Sequence, residues 1–509
     1  MAATAVADIM SSPVVTAAPD DTLSDAAAAM EKHRVGSVVV VDGSRPVGIL
    51  TERDLMRLTA AGADGTALVS DWMTSDPYTI APTVEVGQAW SWLGEKGYRH
   101  IPVVDGGVLV GVVSMRDLVK IAQITPMGHP SLVQAPKGLE GVVVADTSVG
   151  DVRGLEGFYH YRQYNAVELA EKRSLEDVWY LLFEGELPTP AQREAFLDEV
   201  RPLSVIPDKV KPLLPTVASA GQQPGPLDPL RTAMSAVGQA LDMRPSLDLD
   251  PATRRFDALR LCAVTPTLIM ALHRLRNGLE PLEPRPDLGY SANYLYMLTG
   301  EVPDPEYARA VEQYQISTID HGFNASTFTG RVVISTGADF CSAVVAAIGA
   351  LSGPLHGGAP SRALDMLDAI GTPDQAENWI RTAVEKGDRI MGFGHRVYKT
   401  DDPRSLMLRD VARRLGGDKA AFAVQVEKTV VDVLAELKPG RHLYANVEFY
   451  AGVVMDRCGL PRELFTPTFA SSRVIGWCAN MLEQTADNRI VRPSARYVGP
   501  PPPQLVPDE

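Results

Sequence analysis

Two stretches near the start of the chain repeat one another at a constant offset. VADIMSSPVVT (6–16) matches VSDWMTSDPYT (69–79), and VVVVDGSRPVGILTERDLM (38–56) matches IPVVDGGVLVGVVSMRDLV (101–119). Met10 falls on Met73, Asp42 on Asp105, Thr51 on Ser114 and Asp54 on Asp117, each 63 residues apart. A fixed period with aligned anchors means one supersecondary unit made twice. Each copy reads as a short strand, an amphipathic helix, two strands joined at Asp-Gly, and a helix starting near the final Asp. A unit of this size buries little apolar surface alone, so the two copies are expected to pack together.

The period stops near Ile121. PMGHPSLVQAPKG (126–138) is rich in Pro and Gly and has no period, which reads as a linker. From Leu139 the texture changes to Ala/Leu-rich helical windows, such as 175–189, 231–243 and 428–437, with few strand-like runs. The expected organisation is a repeated α/β module over 1–122, a linker over 123–137, a large mostly helical region over 138–499, and a Pro-rich flexible tail over 500–509. A chain of 509 residues has room for these several cores.

Charge narrows the partners. The net charge is −15, divided as −6 over residues 1–125 and −9 over the rest. Neither part suits nucleic acid or an anionic membrane surface. One window, 385–414, holds 8 bases against 5 acids, so an anion is expected there. Cys262, Cys341, Cys458 and Cys478 form no CxxC pair, which argues against a disulfide framework or a zinc ribbon and for a reducing compartment. The N-terminus has no signal-like apolar run, and no charge-free run approaches the ~20 residues of a membrane span. A cytoplasmic protein without a membrane contact is expected.

The paired VGILTERD (47–54) and VGVVSMRD (110–117) carry two readings. Ser/Thr-x-x-Asp is a common helix cap. The same residues, Thr51 or Ser114 at the strand–helix junction, also suit a phosphate at a helix N-terminus. Asp54 and Asp117 would then accept from ribose hydroxyls, and Arg53 and Arg116 would neutralise phosphate. Found twice in register, the segment resembles a pair of CBS domains. That resemblance implies a regulatory module binding an AMP-, ADP- or ATP-type ligand.

In the helical region five segments stand in order: DHGFNAST (320–327), SGPLHGGA (352–359), MGFGHRVYKTDDPRS (391–405), NVEFYAG (446–452) and NRIVRPSARYVG (488–499). His356 and His395 adjoin glycine, which lets backbone approach a ligand closely. His33, His100, His129, His160, His273 and His442 read as packed or solvated residues. A zinc site is disfavoured because the motif histidines lack short metal-ligand spacing; no metal and no cofactor are expected. Together the segments resemble the citrate synthase family from about Gly138 to Gly499.

That resemblance implies joining an acyl-CoA thioester to oxaloacetate. The chemistry needs a base, a donor for the enolate oxygen, a donor for the ketone, and cations for a dicarboxylate. Carried over residue by residue, Glu448 is the base, His356 the donor to the thioester and His395 the donor to the ketone. His321, Arg404, Arg473 and Arg492 hold oxaloacetate, with Arg492 reaching in from a second subunit. Arg396 and Lys399 meet the phosphates of coenzyme A. The resemblance further implies a homodimer or higher homo-oligomer, and a small domain near 358–460 that closes on the ligands.

One position departs from the family pattern. Glu448 stands where the family usually has Asp, and its side chain is longer by one methylene. Three readings remain open: a citrate synthase using acetyl-CoA, a 2-methylcitrate synthase using propionyl-CoA, and a nucleotide-sensing scaffold on an inactive synthase.

Overall fold

The computed structural model describes residues 5–60, 64–95, 98–114, 117, 135–222, 225–354, 356, 359–395, 398, 400–438 and 443–500. The linker residues 123–134 and tail residues 501–509 lie outside them. The chain divides into two compact units, Met1–Val142 and Val143–Glu509.

The first unit is built from β1 (Thr16–Ala17), α1 (Leu23–His33), β2 (Ser37–Asp42), β3 (Arg45–Thr51), α2 (Glu52–Ala60), β4 (Thr74–Ser75), α3 (Val86–Glu95), β5 (His100–Asp105) and β6 (Val108–Ser114). The sequence offset of 63 recurs in the backbone. Hairpin β2–β3 pairs Ser37 with Thr51, and hairpin β5–β6 pairs His100 with Ser114. Each has its register shift at the same place, Val40/Val41 and Val103/Val104. The expected helix after the second hairpin strand starts at Glu52, two residues before Asp54. Asp54 folds back as the third helical residue, where Oδ2 accepts from the Thr51 amide (3.0 Å) and hydroxyl (2.6 Å).

The copies do more than sit side by side, because each lends its first residues to the other. β4 follows the start of the second copy yet pairs with β3 of the first, and Ser11 of the first bridges Val112 of the second. Val6 is buried among Ile80, Ala89, Leu93, Ile101, Val103 and Val113. Val69 is buried among Ala17, Ala26, Met30, Val38, Val40 and Leu50. Neither half core is complete without the other, which is why the sequence keeps both anchors.

Met10 and Met73 mark the exchange. A Cβ at Gly48 would lie 2.1 Å from Met73 Sδ, and one at Gly111 would lie 2.3 Å from Met10 Sδ. Gly48→Val is therefore expected to destabilise this unit by about 1–3 kcal/mol through overpacking. Faster hydrogen exchange of the β2–β3 amides in the full chain checks this, and Met73→Ala should restore part of the loss.

The second unit opens with a three-stranded antiparallel sheet, β7 (Gly150–Arg153), β8 (Phe158–Tyr161) and β9 (Tyr164–Asn165), and is otherwise mostly helical. Helices are stopped and started by local chemistry. Ser174 caps α4 (Leu175–Glu184), and Gly185 ends it in the left-handed conformation (φ +92°). The window 231–243 falls in α5 (Asp228–Ala240). The core helix α6 (Pro251–Arg276) starts at an Asp250 cap and buries an unbroken run from Asp257 to Leu272, apart from Arg260. Among the described helices it alone is long and apolar enough to cross a bilayer, but 83% of that window is buried inside the unit. It packs on α5 and on the C-terminal helix α13 defined below. An apolar surface all round is what a central helix requires.

Six further helices frame the region of interest: α7 (Pro305–Thr318), α8 (Ala325–Ser335), α9 (Phe340–Leu351), α10 (Pro403–Leu415), α11 (Asp418–Leu437) and α12 (Val447–Arg457), followed by α13 (Phe465–Ala486). α10 and α12 pack on one another, as do α8 and α13, and α7 packs on α10, α12 and α13.

Candidate active site

His321 sits just beyond the end of α7. The Tyr161 hydroxyl donates to the carbonyls of Ile316 (2.8 Å) and Asp320 (3.1 Å), and Asp320 accepts from the Gly322 amide and from Asn480, so the turn is pinned from three sides. His321 Nε2 lies 3.0 Å from the Tyr398 hydroxyl. Burial, then the charges of Arg404 and Arg473, hold this imidazole well below its usual pKa, so it is neutral. Burial raises the Asp320 carboxyl to about 6, with Arg473 opposing.

His356 faces the N-terminus of α8. The Ser326 amide donates to Nε2 at 3.2 Å, and the Ser326 hydroxyl lies 2.8 Å from the same nitrogen. An acceptor Nε2 places the ring proton on Nδ1. Trp477 donates to Ser326 Oγ at 3.1 Å and fixes that hydroxyl. Burial first, and Arg473 second, lower the His356 pKa to about 4. The ring is therefore a neutral donor through Nδ1–H.

His395 ends a segment that needs glycine. Gly392 and Gly394 have φ of +80° and +81°, and a Cβ at Gly392 would lie 2.9 Å from Phe449 Cβ. Backbone bonds Gly394 N to Tyr444 O (2.8 Å) and Asn446 N to Gly392 O (2.8 Å) lash the segment to the start of α12. The Asn446 side chain adds a bond to Gly394 O. The Tyr398 amide donates to His395 Nδ1 at 3.0 Å, which puts this ring's proton on Nε2. Nε2 lies 3.5 Å from Arg404 Nη2. Two donors so close together suit one anionic or carbonyl oxygen.

Arg404 is buried at 3% exposure and forks onto Asp402 through Nε (3.0 Å) and Nη2 (2.8 Å). Burial works against its charge, and the Asp402 carboxylate more than offsets it, so Arg404 is held above its usual pKa. Arg473 on α13 is also buried; its Nε donates to Thr318 O at 2.7 Å and its guanidinium lies 4.6 Å from the Phe469 ring.

Glu448 is the second residue of α12. A helix start favours a carboxylate by a few tenths of a kcal/mol up to ~1 kcal/mol. Burial outweighs that and the Arg404 charge, and Asp402 adds to it, so the Glu448 pKa rises to about 7. A base with that pKa is charged only above it. The rate at limiting substrate is thus expected to rise tenfold per unit up to pH ~7 and to level off above. His356, neutral down to about 4, adds no limb in that range. A kcat/KM profile from pH 5.5 to 9 checks this, and a flat profile contradicts it.

His321, His356, His395, Arg404, Arg473 and Glu448 thus belong to one linked constellation around the starts of α8, α10 and α12. Arg492 is not brought into it: the residue lies exposed in the extended segment after α13. Arg396 and Lys399 lie outside the described residues.

The citrate synthase C-terminal domain family matches residues 138–494, and CBS domains match 6–61 and 69–123. The chain belongs to the citrate synthase family. A citrate synthase of Deinococcus radiodurans is 39% identical over 364 residues, which cover 71% of this chain and 95% of that one. A 2-methylcitrate synthase of Mycobacterium tuberculosis is 38% identical over 386 residues, 74% of this chain and 95% of its own. The structure of a Thermoplasma acidophilum citrate synthase in ternary complex with carboxymethyl coenzyme A and oxaloacetate has TM-score 0.67 and 29% identity, covering 73% of this chain and 98% of that one. The chain is an acyltransferase of the citrate synthase type with an N-terminal CBS pair.

Citrate synthase family motifs do not by themselves reveal the supporting residues. Asp402, Ser326, Asn446, Tyr398 and Trp477 were not singled out by sequence reasoning. Asp402 and Asn446 had a signal, since each precedes a helix as its cap and Asp402 is followed by Pro. Tyr398 had none, because its contact with His321 spans 77 residues.

In the CBS pair both readings meet at the same atoms. Thr51 with Asp54, and Ser114 with Asp117, form hydroxyl–carboxylate pairs at 2.6 Å in each copy. Asp117 Oδ1 also lies 3.3 Å from Ser11 Oγ. In the first copy the Thr51–Asp54 pair caps the start of α2. Arg53 is exposed, and Arg116 lies outside the described residues.

Proposed function

We propose that the chain condenses acetyl-CoA with oxaloacetate and water to give citrate and CoA. The observation that carries this reading is a partly buried carboxylate at the start of α12, Glu448, in one constellation with two imidazoles of opposite tautomer, His356 with its proton on Nδ1 and His395 with its proton on Nε2. Glu448 takes a proton from the carbon beside the thioester carbonyl. His356 donates Nδ1–H to the thioester oxygen as the enolate forms. His395 Nε2–H and Arg404 polarise the ketone, and His321, Arg404 and Arg473 hold the carboxylates. New C–C bond formation gives a citryl thioester, and water then cleaves it to release the thiol.

In this reading Arg492 completes the carboxylate site from the partner of a homodimer, and its exposure on the segment after α13 supports that. Arg396 and Lys399 meet the coenzyme A phosphates. Closure of a small domain near 358–460 excludes water until the C–C bond has formed. The near-equal identities to a citrate synthase and to a 2-methylcitrate synthase favour keeping propionyl-CoA as the second donor. A hydrophobic pocket discriminates one methylene by only ~1–3 kcal/mol. We expect kcat/KM for acetyl-CoA to exceed that for propionyl-CoA, within about 10–200-fold; the reverse order would make the chain a 2-methylcitrate synthase.

The CBS pair supports regulation by an adenine nucleotide, bound where Thr51, Asp54, Ser114 and Asp117 would exchange capping bonds for ribose and phosphate. Removing residues 1–125 should leave condensation intact and abolish its response to AMP, ADP and ATP. A response that survives would place the nucleotide at the coenzyme A site instead.

A further inference from the structure

We propose that Asp402 is a positioning residue through which capture of the dicarboxylate by Arg404 sets the placement of Glu448. The inference rests on the roles proposed above for those two residues. Asp402 is 1% exposed and spends both oxygens on two elements. Oδ1 accepts from the Arg404 amide (3.1 Å) and Nε (3.0 Å). Oδ2 accepts from Arg404 Nη2 (2.8 Å) and from the Val447 amide (3.0 Å).

Val447 and Glu448 are the first two residues of α12, and their amides are among those a helix cannot satisfy internally. Asn446 Oδ1 takes the Glu448 amide at 3.0 Å, and Asp402 takes the Val447 amide. The backbone under the base is therefore held by its own cap on one side and by the carboxylate under Arg404 on the other. Asp402 also caps α10, so the starts of α10 and α12 share one carboxylate. Any movement of the guanidinium on taking a substrate carboxylate is passed through that carboxylate to the residue before Glu448. Such coupling matters because a misplacement of ~1 Å can cost on the order of 100-fold in rate.

The job needs four acceptances on two oxygens, which Asn cannot supply: its NH2 would face Arg404 in either orientation, and the Val447 amide as well in one of them, donor against donor. Asp402 also acts on Glu448 by charge. Burial does most to raise the Glu448 pKa; Arg404 opposes it, and the Asp402 carboxylate adds to the rise. Asn at 402 would leave the guanidinium unopposed, so the acid limb of the pH profile should move to lower pH. A merely structural role would reduce activity without moving that limb.

The test uses the full chain and four variants: Asp402→Asn, Asp402→Glu, Glu448→Gln and the Asp402→Asn/Glu448→Gln double. With oxaloacetate and acetyl-CoA, Asp402→Asn should lower kcat by at least about tenfold, raise the KM for oxaloacetate, and shift the acid limb of kcat/KM downward. On the Glu448→Gln background the same change should cost less than about threefold in the residual kcat, because the group it positions is gone. Asp402→Glu keeps the charge and displaces the carboxylate, so it should lower kcat with the limb unmoved. An unmoved limb in Asp402→Asn, or its full cost on the Glu448→Gln background, would overturn the proposal. If circular dichroism shows that the Asn variant has lost its fold, the Glu variant decides: wild-type kcat there overturns it. Wild-type kcat in Glu448→Gln alone would instead sink the assignment of the base.

Discussion

Glu448→Gln should lower kcat by roughly 10²–10⁴ while leaving oxaloacetate affinity within a few-fold. The amide keeps the size of the side chain and loses the ability to take a proton. The proton it must remove is only weakly acidic, and among the described residues no other carboxylate is placed in the first turn of α12. Asp402 cannot substitute, because its oxygens are taken by Arg404 and Val447. Oxaloacetate is proposed to bind through Arg404, Arg473 and the histidines, so its affinity should hold. Steady-state kinetics with calorimetric oxaloacetate binding checks both halves. A variant that keeps a tenth or more of wild-type kcat would remove Glu448 from the mechanism.

Arg404→Leu is expected to raise the KM for oxaloacetate by about 100-fold or more, which is the worth of ~2.7 kcal/mol of charge-assisted bonding. It should also destabilise the unit by about 3–5 kcal/mol, because Asp402 would be left buried without its counter-charge. Arg404→Lys should recover little of either, since an ammonium cannot fork onto Asp402 and reach a substrate together. Denaturant unfolding and oxaloacetate titration separate the two effects. Unchanged stability in Arg404→Leu would mean that the buried pair has been misread.

Much of the fold was legible because it is written twice or locally. The 63-residue offset gave the elements of the CBS pair and their register, since hairpin pairing follows from alternation and the Asp-Gly turns. It did not show that Val6 and Val69 exchange cores, because nothing local says which hydrophobic cluster a short N-terminal segment will join. In the synthase unit, His356, His395, Arg404 and Glu448 were visible as motif residues, yet their protonation states were not. Those depend on which amide faces which ring nitrogen, Ser326 for His356 and Tyr398 for His395, and on burial around Glu448. Arg492 was legible as a motif residue, and in the single chain it stays apart from the site.

The most direct measurement is oxaloacetate-dependent release of free thiol from acetyl-CoA by the purified full chain, with the product weighed by mass spectrometry. Thiol release is expected in step with citrate formation, each requiring oxaloacetate and each lost in Glu448→Gln. Thiol release without oxaloacetate, or no release with either acetyl-CoA or propionyl-CoA, would contradict the proposed condensation.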